Sequence, residues 1–84
     1  MTKQEFIQWA KSKGYQEDRY GHLQRELPNG KIHRFKLSKV SVRQEVKVVY
    51  ENDPYRKSDW VRIISGYYSK MSINDKGQLA GMKR

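Results

Sequence analysis

A chain of 84 residues lies near the lower size limit for a domain that folds without covalent or metal staples, and the absence of cysteine removes disulfides and thiolate metal sites. Only 36% of the residues are hydrophobic, so the core must be thin and built from large side chains, which two Trp, six Tyr and two Phe can supply. Eighteen Lys or Arg against nine Asp or Glu give a net charge of +9, which favours anionic partners without specifying a fold.

The charge is not a tail. Residues 1–42 carry nine basic and four acidic side chains and residues 43–84 carry nine and five, so the excess runs through the folded part. No apolar run is long enough for a signal segment or a membrane span. The expected compartment is therefore the cytoplasm, with no membrane partner. No repeat or composition break divides the chain, so residues 1–84 read as one small domain, with 82–84 expected to fray.

Thr2-Lys3-Gln4-Glu5 has the spacing of a capping box, and Phe6, Trp9, Ala10 and Lys13 follow at helical intervals. Gly14 sits where a helix C-cap belongs, so the spacing predicts a helix over about residues 3–13. Leu27-Pro28-Asn29-Gly30-Lys31 then matches a type I turn closed by a glycine bulge. In that register Leu23 faces Phe35, with Leu27 and Leu37 on the same side and Arg25 and His33 as its polar exceptions. His22, Gln24, Glu26, Ile32, Arg34 and Lys36 take the other side. A two-residue Asn-Gly turn would set Leu23 against Lys36, which burial disfavours.

Residues 42–50 alternate, with Val42, Val46, Val48 and Tyr50 inward and Arg43, Glu45 and Lys47 outward; Gln44 is the polar inward position. Residues 51–58 read as a loop. The segment 59–71 fits either period, but the turn sequence Asn74-Asp75-Lys76-Gly77 between SKMSI and QLAGM marks a second hairpin and favours strand. As a strand it would put Trp60, Arg62, Ile64, Tyr68 and Lys70 on one face and Val61, Ile63 and Tyr67 on the other. The predicted fold is α+β: an N-terminal helix packed on an antiparallel sheet of four to five strands. An αβββα arrangement with residues 59–71 helical is the alternative.

The motifs of common chemistries are missing. Two histidines, His22 and His33, point to opposite faces of the predicted hairpin and cannot share an ion, so no metal is expected. Phosphate-cradling glycine loops are absent and no cofactor is implied. His22, beside Lys36 and near Arg34, could act as general base in a small metal-independent ribonuclease, but an ordinary strand histidine is the plainer reading. No catalytic residue is assigned.

The stretch KIHRFKLSKVSVRQEVK carries six Lys or Arg and one acid. Solvated strand faces are often basic, which discourages edge pairing. Here, however, only Glu26 and Glu45 interrupt the cations, a bias that a neutral surface would not need. Arg34, Lys36, Arg43 and Lys47, joined by Arg62, Tyr68 and Lys70, are the predicted nucleic-acid contacts, holding phosphates and stacking bases. The expected function is non-catalytic binding of DNA or RNA with weak sequence preference. A protein-interaction or inhibitor module for an acidic partner is the competing class.

Overall fold

The helix starts where its capping box places it. In the computed structural model, which describes residues 1–50, 52–55 and 57–84, α1 runs over Lys3–Ser12. The Glu5 N–H donates to Thr2 Oγ1 and the Thr2 N–H to Glu5 Oε1, each at 3.1 Å. Hydrogen bonding from Thr2, its backbone N–H first, holds the Glu5 carboxyl below its ordinary pKa. At the other end Gly14 N–H donates to Lys11 O and Tyr15 N–H to Ala10 O, each at 3.1 Å. This paired C-terminal closure turns Tyr15 back onto the core beside Ala10.

Five antiparallel strands follow in chain order: β1 (Gln16–Glu17), β2 (Leu23–Glu26), β3 (Ile32–Leu37), β4 (Ser41–Val49) and β5 (Ser58–Tyr67). A single 3-10 turn, Tyr68–Lys70, leads into a small second sheet of β6 (Ser72–Ile73) and β7 (Leu79–Ala80). The α+β fold with one N-terminal helix is thus present, and the ambiguous segment is strand up to Tyr67. The two-residue β1 was not expected, because QE has neither strand propensity nor alternation.

The first hairpin takes the bulged register. Gly30 N–H donates to Leu27 O at 2.9 Å and Leu27 N–H to Lys31 O at 2.7 Å, which sets Leu23 opposite Phe35 and Arg25 opposite His33. The same bond pattern recurs in the second hairpin, with Gly77 N–H on Asn74 O at 2.9 Å and Asn74 N–H on Gln78 O at 3.0 Å. Of the loop expected over 51–58, Glu51 and Arg56 lie outside the described residues; β5 already begins at Ser58.

Phe6, Ala10, Tyr15, Leu23, Phe35, Val42, Tyr68 and Met71 form the buried core between α1 and one face of the sheet. Its centre is aromatic: Phe6 meets Phe35 edge-on at 5.0 Å, and Tyr15 meets Phe35 at 4.6 Å. Trp9 Nε1–H donates to Gly77 O at 2.8 Å, pinning the second hairpin to the helix.

After that hairpin the chain returns along β5. Lys83 exchanges two 2.8 Å backbone hydrogen bonds with Ser65, within the stretch 82–84 for which the sequence suggests fraying. Two glycines permit the close approach. A Cβ on Gly66 would come within 3.0 Å of Gly81 O and Met71 Sδ. Gly81, at φ +101, lies against the Lys70 carbonyl, where a Cβ would collide.

Candidate nucleic-acid interface

The face of the sheet away from α1 is set by the strand registers and the period-two alternation of side chains. On it Lys36 pairs with Arg43, Arg43 with Ser65, and Ser65 with Lys83 across the ladder. The next row is Arg34, Glu45 and Arg62, and beyond it Lys47 opposes Trp60. Lys36, Arg43 and Lys47 therefore share one surface, as strand alternation predicts, Arg62 lies on it too, and none of the four forms an ion pair with another described residue.

Arg34 does not belong with them. Its Nη2 lies 2.6 Å and its Nε 3.1 Å from Glu45 Oε1, and its guanidinium sits 4.0 Å from the centre of the Trp60 ring. The two charged side chains are only 16% and 8% exposed. Arg34 is thus committed to a largely buried ion pair and an aromatic face, with little left to offer a phosphate. The sequence expectation of a solvent-facing contact is corrected on that ground. Sequence order had placed Glu45 as an interruption of the patch, whereas it is matched internally.

Tyr68 is the second correction. It is 4% exposed, packs against Phe6, and its hydroxyl donates to Ser38 O at 3.0 Å. Burial raises its pKa. Such a ring cannot stack on a base. The cause is a bulge: Gln44 pairs with Ile64 but Glu45 with Arg62, leaving Ile63 as an extra residue. Trp60 and Arg62 stay on the outer face, while Ile64 turns to the core and Ser65 and Tyr67 come outward. Tyr67, assigned by simple alternation to the opposite face, is the exposed aromatic at 55%. The adjacent apolar pair Ile63-Ile64, which breaks alternation inside a strand, is the sequence signal that marks the bulge.

Lys70 is exposed, and its Nζ lies 5.8 Å from the centre of the Tyr67 ring. Around these two residues the outer face is concave. A cavity of about 600 Å³ is lined by Ser38, Ser41, Arg43, Ser65, Gly66, Tyr67, Lys70, Gly81, Lys83 and Arg84. Lys83 and Arg84 were missed as site residues because only the return along β5 brings them beside Arg43.

His22 is half-buried, and its Nδ1 accepts a hydrogen bond from the Leu37 N–H at 3.1 Å. The ring thereby helps hold the start of β2 against β3. His33 is on the other face, opposite Arg25. Burial, then Lys31 and Arg25, lower its pKa. Among the described residues no three His, Asp or Glu side chains gather as a metal site, and no helix is long and apolar enough to cross a membrane.

No family model, no curated protein and no solved structure matches this chain.

Proposed function

We propose that the protein binds DNA or RNA in the cytoplasm, without catalysis, by laying the phosphate backbone across the outer face of its five-stranded sheet. The observation that supports this reading most is the row pattern of that face. Lys36, Arg43, Lys47, Arg62 and Lys70 stand on or beside it, and its central acid, Glu45, is already matched by Arg34. Neighbouring strands are ~4.8 Å apart and alternate outward side chains ~7 Å apart, spacings that let several cations meet successive phosphates. Binding would release counterions from the nucleic acid, so affinity would come mainly from charge and carry little sequence preference. Tyr67 supplies one exposed ring for stacking.

Anisotropy titrations of a labelled oligonucleotide over a salt series test the reading. With about five cations engaged, log K falls against log salt with a slope of about −3.5 on single strands or −4.5 on duplex. An absence of binding at low salt ends the proposal.

One observation favours a second reading, an interaction module for an acidic protein. The β4–β5 ladder runs past the end of β3, and Val49, Tyr50, Tyr55 and Val61 are exposed at that end, Tyr55 by 83%. Apolar side chains beside a basic sheet suit a protein surface as well as a nucleic acid.

A further inference from the structure

Small and long side chains are sorted at one corner of the outer face. The cavity there is lined by three serines, Ser38, Ser41 and Ser65, and by four long cations, Arg43, Lys70, Lys83 and Arg84. Register explains the sorting. Arg43 and Lys83 flank Ser65 on either side across the ladder, and Ser41 is paired with Tyr67 in the next row. Two long cations thus flank a hydroxyl, with an exposed aromatic ring one row away. No acidic side chain lines the cavity.

We propose that this cavity is a pocket for a phosphate monoester, presented as the terminal phosphate of a nucleic-acid strand. An internal phosphodiester carries a single negative charge, whereas a terminal monoester carries about −1.5 to −2 at neutral pH and three acceptor oxygens. Arg43, Lys70 and Lys83 can divide those oxygens among themselves, while the serine hydroxyls donate as well. The volume, about 600 Å³, exceeds what a phosphate group needs and accommodates the attached sugar. Tyr67 then offers its ring to the terminal base. The remaining strand would lead away from the corner along Arg43, Arg62 and Lys47. As a strand-end pocket it rests on the nucleic-acid reading above; as a monoester pocket it does not, since a free nucleotide presents the same group.

The test compares oligonucleotides of one sequence bearing a 5′-phosphate, a 3′-phosphate or hydroxyls at both ends. One of the phosphorylated strands should bind about tenfold or more tightly than the hydroxyl form, as expected for two or three added charge-assisted hydrogen bonds. That ratio should fall towards one in Lys83→Gln and persist in Lys31→Gln, which alters a cation at the distant β2–β3 turn. In parallel, a nucleoside monophosphate and the matching nucleoside are titrated while the amide resonances of Ser41, Ser65 and Tyr67 are followed. Equal affinity for all three strands overturns the strand-end pocket and leaves the platform standing. If no strand binds but the monophosphate alone shifts those resonances, the nucleic-acid reading fails and the monoester pocket stands as a nucleotide site. If neither strands nor monophosphate respond, both are overturned.

Discussion

Arg34 reaches across the β3–β4 ladder to Glu45 while its guanidinium covers Trp60 at 4.0 Å. One side chain therefore ties three strands together on the face opposite the helix, where the described residues form no second layer to do so. Breaking a buried ion pair by removing one partner costs about 3–5 kcal/mol, and slight exposure places this pair near the lower end. Arg34→Glu, which adds a second carboxylate there, should lower Tm by about 10 °C or more in a domain of this size. Pairing Arg34→Met with Glu45→Met should recover much of that loss. A charge reversal that melts like the unaltered protein would remove Arg34 from this structural role.

Arg43 and Arg62 behave differently because both are exposed and without an ion-pair partner among the described residues. Exposed substitutions usually move stability by no more than about 0.5 kcal/mol. Arg43→Gln and Arg62→Gln should melt normally, yet each should reduce the salt slope of nucleic-acid binding by ~0.7–0.9. Unchanged slopes in both variants would mean that phosphates do not lie across these rows.

Gly81 is the most restrictive glycine for the return along β5. Alanine there meets both a left-handed backbone and the Lys70 carbonyl, and strain of this kind costs about 1–3 kcal/mol before the clash is relieved. Thermal melts should rank Gly81→Ala below Gly66→Ala, whose Cβ needs only a few tenths of an ångström from Met71 and Gly81. The reverse order would contradict the described path of residues 80–83.

His33 makes stability depend on pH in one direction. Its folded pKa lies below the ordinary 6.5 through burial, Lys31 and Arg25, so the unfolded chain binds the proton more readily. Stability is full above about 6.5 and declines as pH falls through the lowered folded value. Calorimetric scans between about pH 8 and pH 5 should show a smaller loss for His33→Asn than for the unaltered protein. Parallel profiles would show that His33 is not the group responsible.

The helix, the bulged register of the first hairpin and the polar inward position of Gln44 were legible because local rules set them: a capping box, a Pro-Asn-Gly turn and strict alternation. Ile63 was not, since the apolar pair Ile63-Ile64 shows only that alternation breaks, and whether an extra residue is left there depends on what the neighbouring strand presents. That single residue moved Tyr68 into the core and Tyr67 out of it. Arg34 was misplaced for a related reason. Alternation does give its outward direction, but a partner across the ladder and a ring two strands away turn an outward side chain into a buried one. Lys83 joined the candidate site only through tertiary return of the chain.

The order of the main sheet repeats the order of the chain: each strand from β2 to β5 lies beside its predecessor, with no crossover. Every ladder in it can close as a short hairpin before the next begins, so little chain entropy is spent on distant search. Arrangements dominated by such local pairings fold faster than sandwiches of comparable length, whose strands must find partners far along the sequence. By the same rule the late steps should be those that join remote segments: the second hairpin meeting Trp9 and Lys83 closing on Ser65. The basic corner is therefore expected to assemble last, and following its closure separately from formation of the sheet beneath it tests that order.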